Sequence, residues 1–419
     1  MNTTENYAVK DLSLAQQGKL NIEWAESQMG ALMKVKKRFE KEKPFKNLKI
    51  GIALHPTKET AVLVRTLRAG GADVAICACN PLSTQDDVAA ALAQEGVKVY
   101  AWKGETSAEY YENLKKVINF QPHVTIDDGC DLISEIHQNY PHLIPTILFG
   151  NEETTTGIIR LKAMEKDGAL KYPVLAINNL KTKHLFDNFY GTGQSTFDGI
   201  IRATNILIAG KTVVVCGYGP CGQGVAMRAQ GLGGEVIVTE VNAFRALQAK
   251  MDGYRVMPLI EAAKEGDIFV TVTGNKNVID LAHMKKMKDG VLLANAGHFD
   301  AEINVKELKR SAKMRKIRPF MDEYHYKGKN LYILGEARLI NLAAAEGHPS
   351  VVMAQSFCGQ SLAVEYGIKN KDKLKVGVNE LPVEIDELIA KLQLESLGIK
   401  MDNLTKEQKK YMDSWQEGT

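Results

Sequence analysis

The sequence predicts an α/β protein with two doubly wound parallel sheets, joined by hinges and followed by a small helical C-terminal segment. Short runs of β-branched and apolar residues alternate with amphipathic stretches, and this alternation occurs in two separate series. A length of 419 residues is too great for one ordinary hydrophobic core. A glycine-rich turn directly after one predicted strand is typical of such sheets.

The strands of both series are read from the positions of the apolar runs. The first series is expected at Leu48–His55, Asp73–Asn80, Lys98–Trp102, Val124–Gly129, Thr146–Gly150 and Val174–Asn179. The second series is expected at Val213–Cys216, Val236–Glu240, Ile268–Gly274, Val291–Gly297 and Leu331–Leu334. Polar clusters follow the strands in both series. Because ligands of such sheets bind beyond the carboxyl ends of the strands, we expect a site between two facing domains.

The glycine-rich turn predicts a dinucleotide site in the second series. Gly217, Gly219 and Gly222 form a G-x-G-x-x-G pattern between a strand and a helix. These glycines permit a tight turn, close approach of a pyrophosphate and close packing of helix on strand. Glu240 ends the next strand, where a carboxylate can bind both ribose hydroxyls and would repel a 2′-phosphate. The predicted cofactor is therefore NAD, although the nearby Arg245 leaves NADP open.

These patterns predict the following domain organisation. A substrate-binding domain spans 1–182 and is completed by about 346–381, and a Rossmann-like NAD-binding domain spans 190–345. The stretch 183–199 is one expected hinge, and 341–360 carries the chain back. The last segment, 382–419, is charged and helical in pattern with few apolar residues. It is therefore expected to dock on another surface, such as that of another subunit, and to serve as an oligomerisation segment.

Composition excludes several classes of protein. The 53 basic and 50 acidic residues leave a net charge of +3, which gives no field to attract nucleic acid or an anionic membrane. No apolar stretch approaches the ~20 residues that span a bilayer, and no signal peptide is apparent. The six scattered cysteines are expected to be reduced thiols of a cytoplasmic protein.

Several residues at strand ends could carry chemistry, and each also has a structural interpretation. His55 could flank a helix, with Thr57 as its N-cap and Glu59 in its first turn. Asp128 belongs to a group of three acids in five residues, which suits acid–base work but is also common in capped loops. Glu153 precedes three threonines that could bind a ligand or simply belong to a strand.

Lys183 and Asp187 lie four residues apart in a helical stretch, with Asn188 beside them. Such a pair is usually a surface ion pair worth a few tenths of a kcal/mol. To act as a base near neutrality, Lys183 would need a pKa ~3 units below its usual value, or roughly 4 kcal/mol of environment. His298 and His348 each follow a glycine by one residue and are singly more often structural. HExxH and other zinc patterns are absent, so no metal is expected.

Taken in order, these clusters resemble the S-adenosylhomocysteine hydrolase (adenosylhomocysteinase) family over nearly the whole chain, from about residue 51 to 415. The segments that carry the resemblance are CNPLSTQDD (79–87), YAWKGET (100–106), NEETTTG (151–157), FDNFYGTGQS (186–195), NAGHFDAEI (295–303) and GHPSVVM (347–353). The resemblance implies transient oxidation of the ribose 3′-carbon by tightly held NAD, loss of homocysteine by elimination, addition of water and return of the hydride.

The resemblance also implies roles for individual residues. The catalytic residues would be His55, Asp128, Glu153, Lys183, Asp187, Asn188 and His298. The substrate would bind to Thr57, Glu59, Glu153, Lys183, Asp187, His298, His348 and Met353. NAD would bind to Thr154, Thr155, Thr156, Asn188, Gly217, Gly219, Gly222, Glu240, Thr273, Asn275, Asn295, Gly297 and Asn341.

The purine is the open question. Family members specific for adenine look like His-x-Thr-x-Glu or Gln, which His55, Thr57 and Glu59 match. A carboxylate accepts from the amine of adenine but would face the carbonyl oxygen of hypoxanthine, so adenosine is favoured. Some shorter archaeal and bacterial members of the family act on S-inosylhomocysteine, and this chain shares features with them. Glu346 replaces the methionine usual in longer members, and the chain resembles the short type that lacks the NAD-capping tail.

Four interpretations stay open at this point: an S-adenosylhomocysteine hydrolase, an S-inosylhomocysteine hydrolase, a catalytically silent NAD-binding regulator and an ordinary dehydrogenase. The first is favoured because every expected acid, base and ribose ligand is present. The expected partners are small molecules (S-adenosylhomocysteine, adenosine and homocysteine), without nucleic acid or membrane. The resemblance implies a homotetramer.

Overall fold

A computed structural model describes residues 1–416 and 418, and its strands form two sheets. In chain order the strands are β1 Asn2–Thr3, β2 Tyr7–Val9, β3 Lys49–Ala53, β4 Asp73–Cys77, β5 Lys98–Tyr100, β6 Val124–Asp127, β7 Phe149–Glu152, β8 Pro173–Ala176, β9 Thr212–Cys216, β10 Glu235–Thr239, β11 Arg255–Val256, β12 Ile268–Thr271, β13 Val291–Asn295, β14 Lys313–Arg318, β15 Met321–Tyr326, β16 Lys329–Leu334 and β17 Gly377–Asn379.

The α-helices are α1 Ala15–Gln28, α2 Gly30–Glu42, α3 Lys58–Ala69, α4 Asp86–Gln94, α5 Ser107–Asn119, α6 Asp131–Asn139, α7 Thr155–Lys166, α8 Lys181–His184, α9 Thr192–Thr204, α10 Pro220–Gly231, α11 Ala243–Met251, α12 Leu259–Ala262, α13 Leu281–Lys286, α14 Val305–Ser311, α15 Ile340–Ala343, α16 Ser350–Asn370, α17 Val383–Ser396 and α18 Lys406–Met412. Short 3-10 turns occupy Leu12–Leu14, Pro141–Thr146, Ile177–Asn179, Gly335–Ala337 and Lys371–Lys373, and Asp187–Gly191 is a π-helical turn.

The two sheets have the doubly wound topology that the sequence predicts. The first has the strand order β1-β2-β5-β4-β3-β6-β7-β8-β17 and is parallel except at the β1–β2 pair. The second has the order β11-β10-β9-β12-β13-β16-β15-β14 and is parallel up to β16. Central strands such as β9 are apolar along most of their length because helices cover both faces of the sheet.

The structure corrects the strand expected at Thr146–Gly150, since β7 is displaced toward Glu152. The residues before it form the 3-10 turn Pro141–Thr146, which contains Pro145. A proline has no N–H to donate to a sheet, so pairing begins only after this turn. Glu152 is consequently the last residue of the strand, and its side chain points into the protein rather than into an open loop.

The hairpin of β14 and β15 was missing from the predicted strands. It pairs antiparallel with β16 and adds an antiparallel edge to the second sheet. Every residue of β14 is exposed, and its sequence is KMRKIR. Without an apolar run or a buried face, this edge strand carries no hydrophobic period that sequence reasoning could detect.

The C-terminal segment begins with α17, which packs on α2, α8 and α16 of the same chain. Asp386 of α17 accepts hydrogen bonds from the backbone N–H groups of Lys181 and Thr182, at 2.7 and 3.0 Å. The docking surface of α17 is therefore formed by helices of its own chain. In contrast, α18 is exposed along its length. Of the predicted segment 382–419, residues 417 and 419 lie outside the described residues.

None of the helices within residues 1–416 combines the length and the apolarity needed to cross a membrane. The six cysteines are free thiols, and five of them are buried.

Glu105 is a buried carboxyl that supports the loop after β5. Its Oε1 accepts from the backbone N–H of Trp102 and from Nδ2 of Asn113, whereas its Oε2 has no partner among the described residues. Burial raises the pKa of Glu105 from 4.5 to about 8, although the bond from Trp102 opposes the shift. The folded state therefore holds this proton near neutrality.

We predict that Glu105→Gln, which mimics the protonated acid, changes the dependence of stability on pH. Because the folded pKa is raised, the stability from this group is fully present below pH 4.5 and is lost as the pH rises through about 8. As the pH rises from 5 to 8, the free energy of unfolding of the variant should increase by ~1 kcal/mol or more relative to that of the parent, as measured by chemical unfolding. The control is Glu112→Gln, which changes an exposed carboxyl group on α5. If the difference in unfolding free energy between Glu105→Gln and the parent is the same at pH 5 and at pH 8, the prediction is contradicted.

Candidate active site

The main cavity has a volume of about 1070 Å³ and lies at the carboxyl ends of both sets of parallel strands. Most of the residues predicted for the site line it. These are His55, Thr57, Glu59, Asp128, Glu153, Thr154, Thr155, Thr156, Lys183, Asp187, Asn188, Gly217, Gly219, Glu240, Thr273, Asn275, Gly297, His298, Asn341, His348 and Met353.

Two residues predicted to contact the cofactor, Gly222 and Asn295, do not line this cavity. Asn295 is fully buried, and its Nδ2 donates to the carbonyls of Gly297, Phe299 and Ala337. Through these hydrogen bonds Asn295 shapes the turn that carries His298.

The glycine turn has the geometry that a dinucleotide needs. Gly217 has a φ of +107°, which favours glycine. A Cβ on Gly222 would lie 2.0 Å from the carbonyl oxygen of Gly217, so only glycine allows α10 to approach β9 this closely. Glu240 lies beside the turn, and its carboxylate accepts from the N–H groups of Tyr218, Val241 and Asn242 at 2.7–2.9 Å. The residues present therefore fit a bound dinucleotide with free ribose hydroxyls.

A buried ion cluster lies where the chain passes from the first domain to the second. Nζ of Lys183 donates to Oδ1 of Asn188 at 2.7 Å and lies 3.6 Å from Asp187 Oδ1 and 3.8 Å from Glu153 Oε1. The short helix α8 supplies the lysine, and the π-helical turn that begins at Asp187 supplies its two neighbours. The wider π turn brings the side chains of two consecutive residues, Asp187 and Asn188, to the same amine.

Electrostatics within this cluster assign its charges. Burial lowers the pKa of Lys183, but the carboxylates of Asp187 and Glu153 outweigh burial and raise it. For Asp187, burial would raise the pKa, but the charges of Lys183 and His348 outweigh burial and lower it. Burial raises the pKa of Glu153 to about 8. Without ligands the cluster is thus centred on an ammonium–carboxylate pair of Lys183 and Asp187, with Glu153 beside it. The lower pKa that Lys183 would need to act as a base must come from another positive charge.

His55, Asp128 and His298 form a second group, which joins the two domains. Asp128 Oδ2 lies 3.3 Å from His55 Nε2, and Asp128 Oδ1 lies 3.4 Å from His298 Nδ1. Burial lowers the pKa of His55 to about 4, despite the charge of Asp128, so its imidazole is neutral near pH 7. Each residue offers one ligand atom within 4.8 Å of the others, which could hold a metal ion, but the same geometry suits proton transfer.

Two buried acids hold the loops that carry this second group. Asp127 accepts from the N–H groups of Asp128 and Ile133, and Glu152 accepts from those of Gly129 and Thr154. A Cβ on Gly129 would lie 2.2 Å from Nε2 of His298, so a glycine is needed where the second domain meets the first.

Helix α16 contributes polar residues that the sequence analysis missed. Ser350 Oγ donates to Glu59 Oε1 at 2.6 Å, Ser356 Oγ donates to Asp187 Oδ2 at 2.7 Å, and Gln360 Nε2 donates to Glu153 Oε2. With Met353 they recur every three or four residues and so share one helix face. The sequence signal that could have revealed these residues is their regular spacing on one face of an otherwise apolar helix. One helix thus orients three carboxylates of the cavity.

Other predicted site residues are fixed by hydrogen bonds or ion pairs to neighbouring side chains and backbone groups. Thr57 is the N-cap of α3 and accepts from the N–H of Thr60, while Thr155 Oγ1 donates to Asn178. Thr273 Oγ1 donates to Glu302, and His348 Nδ1 lies 2.9 Å from Asp187 Oδ1. Asn341 donates to the hydroxyl of Ser195.

Two Rossmann-like sheets facing one cavity, with a dinucleotide turn on one side and a buried acid–base cluster on the other, define an NAD-dependent enzyme of two domains. Comparison with known families places it further. The family model described as "S-adenosyl-L-homocysteine hydrolase" matches residues 6–148. The model described as "S-adenosyl-L-homocysteine hydrolase, NAD binding domain" matches residues 188–347. The chain belongs to the S-adenosyl-L-homocysteine hydrolase family, which confirms the resemblance read from the sequence.

Curated relatives match along the full length and carry two different names. An S-inosyl-L-homocysteine hydrolase of Methanocaldococcus jannaschii is 58% identical over 99% of this chain and 100% of its own length. Adenosylhomocysteinases of Saccharolobus solfataricus and Aquifex aeolicus are 57% and 56% identical, each over 99% of this chain and 100% of their own length. Identity alone therefore does not separate the two purines.

We predict that Ser356→Ala slows catalysis by about tenfold or more, because the buried carboxylate of Asp187 loses the hydrogen bond that the hydroxyl of Ser356 donates. The measurement is kcat of the holoenzyme with its nucleoside substrate. Ser361→Ala is the matched control, since Ser361 is buried on the same helix and its hydroxyl has no partner within the described part of the chain. Equal losses in both variants would contradict a specific role for Ser356.

Proposed function

We propose that this enzyme reversibly hydrolyses S-adenosyl-L-homocysteine to adenosine and L-homocysteine through transient oxidation of the ribose 3′-carbon. The observation that carries the proposal is the buried cluster of Lys183, Asp187, Asn188 and Glu153, which lies in the same cavity as the dinucleotide turn. An acid–base cluster beside a redox cofactor suits a reaction in which a hydroxyl is activated before a carbon–sulfur bond breaks.

NAD, when bound, accepts a hydride from the substrate and later returns it. The turn at Gly217, Gly219 and Gly222 would accommodate the pyrophosphate, and Glu240 would bind the ribose hydroxyls of the adenosine half. The further residues proposed to contact the cofactor are Thr154, Thr155, Thr156, Asn188, Thr273, Asn275, Gly297 and Asn341. Asn295 would act through the turn that it shapes.

Lys183 and Asp187 would transfer protons at the 3′- and 4′-positions of the ribose. Lys183 is charged without ligands, and an additional positive charge entering the cavity would lower its pKa toward neutrality. It could then accept the proton of the 3′-hydroxyl, while Asp187 takes up the 4′-proton. Glu153 would bind the ribose hydroxyls, and Asn188 would orient the amine of Lys183.

His55, Asp128 and His298 would handle protons at the 5′-carbon. A neutral His55 can accept a proton from the water that adds there, and Asp128 lies within reach of both imidazoles. His348, held by Asp187, and Met353 would close the cavity on the side of the returning chain. Closure keeps bulk water from a reactive ketone.

Adenine is the proposed purine because Glu59 is a buried carboxylate that faces the cavity from the first turn of α3. Such a group accepts a hydrogen bond from a 6-amino group and repels a 6-oxo group. S-inosyl-L-homocysteine is the second candidate, since relatives with that name are as similar to this chain as the adenosylhomocysteinases.

The finer organisation is proposed on the same basis. The substrate-binding domain would span 1–182 with 346–381, the NAD-binding domain 190–345, and 382–419 would contribute to assembly. Exposed apolar residues between α17 and α18, such as Ile399, Met401 and Leu404, favour burial against further subunits of a homotetramer. The enzyme would act in the cytoplasm on small molecules, without nucleic acid or membrane partners.

We predict that the NAD-loaded enzyme synthesises thioether from homocysteine and adenosine with a kcat/KM at least about tenfold above that with inosine. The two nucleosides are supplied in separate tubes, and product is measured by mass spectrometry, with reactions lacking homocysteine as controls. Faster synthesis from inosine would overturn the purine assignment. Stoichiometric release of NADH without thioether would instead indicate an ordinary dehydrogenase, and no reaction at all would indicate a silent protein.

A further inference from the structure

A chain of charged groups connects the returning hinge with the purine end of the cavity. Glu346 lies between α15 and α16, and its Oε2 is 2.9 Å from Nζ of Lys58. The same lysine nitrogen is 3.4 Å from Oε1 of Glu59. The other oxygen of Glu346 lies 3.1 Å from Arg202 on α9. Glu346 thus holds a cation from each domain.

Lys58 is the shielded member of this chain. Its side chain is 12% exposed, compared with 56% for Glu346 and 50% for Arg202. Lys58 does not line the cavity but lies behind Glu59, which does. Gln85 strengthens the link, because its Oε1 accepts from the N–H of Lys58 and its Nε2 donates to the carbonyl of Glu346. The ion pair between Lys58 and Glu346 is therefore worth more than an exposed one.

The hydrogen bond from Ser350 and the nearest approach of Lys58 both fall on the same oxygen of Glu59. Lys58 and Ser350 both approach Oε1, at 3.4 and 2.6 Å. Among the contacts of the described residues, Oε2 is the oxygen left to accept a hydrogen bond from a ligand. A carboxylate held in this way presents an acceptor and no donor.

We propose that Glu346 is a positioning residue for purine selection, because it holds Lys58 on the far side of Glu59 and keeps the second carboxylate oxygen available to a 6-amino group. Without Glu346, Lys58 loses its closer anionic partner and moves onto Glu59, where it competes with the purine amine for the carboxylate. It also brings a donor toward the cavity, which would suit a 6-oxo group. Both effects reduce selection for adenine.

The inference rests on the proposed placement of the purine against Glu59, and its test is a change in selectivity rather than an absolute preference. The ratio of kcat/KM for adenosine to that for inosine is measured in thioether synthesis by the NAD-loaded parent and variants. Glu346→Gln is expected to lower this ratio about tenfold, the effect of losing one charged hydrogen bond. The parent's own ratio tests the proposed function separately, because an enzyme that prefers inosine would fail that proposal whatever Glu346 does.

Two further variants separate the contact with Lys58 from a general effect on the hinge. Lys58→Met should leave the ratio within about twofold of the parent's, because no ammonium then competes for Glu59. The double variant should resemble Lys58→Met rather than Glu346→Gln, because Glu346 acts only through the lysine. Arg202→Gln, which removes the other partner of Glu346, should change the ratio by less than about twofold, as expected for an exposed pair. An unchanged ratio in Glu346→Gln, a loss in the double variant as large as in Glu346→Gln alone, or an equal loss in Arg202→Gln would overturn the proposal.

Discussion

The ion pair between Lys183 and Asp187 is the interaction on which the rest of the site depends. Both side chains are almost completely buried, so each charge would be costly without the other. Around this pair the chain arranges Asn188, His348 and Ser356 as further polar partners. The pair also lies where the chain passes from the first sheet to the second, so the conformation of this connection and the geometry of the ion pair depend on each other.

Support for this pair comes from elements that are distant in the sequence. Asp386 of the C-terminal helix α17 accepts from the first residues of α8, the turn that carries Lys183. Helix α16, which follows the returning hinge, bonds to the carboxylates of Glu59, Asp187 and Glu153. One helix therefore fixes the positions of three acidic side chains of the cavity.

Much of this arrangement was predictable because its signals are local. The strand–glycine–helix unit around Gly217 and the acids after β6 and β7 have short patterns with a direct physical reason, and the N-cap at Thr57 follows from the same reasoning. The supports were not predictable: Ser356, Gln360 and Asp386 gain meaning only from contacts more than 150 residues away along the chain. The charge of Lys183 could not be predicted from the sequence either. Burial lowers its pKa whereas Asp187 and Glu153 raise it, and the balance depends on distances that only the structure gives.

The most direct test is the rate at which adenosine reduces the bound cofactor, followed by the absorbance of the reduced nicotinamide after rapid mixing with the NAD-loaded enzyme. If the buried amine moves the 3′-hydroxyl proton, Lys183→Met should still bind NAD and adenosine, yet should reduce the cofactor ~100-fold more slowly or not at all. Reduction at the parental rate in Lys183→Met would contradict the account.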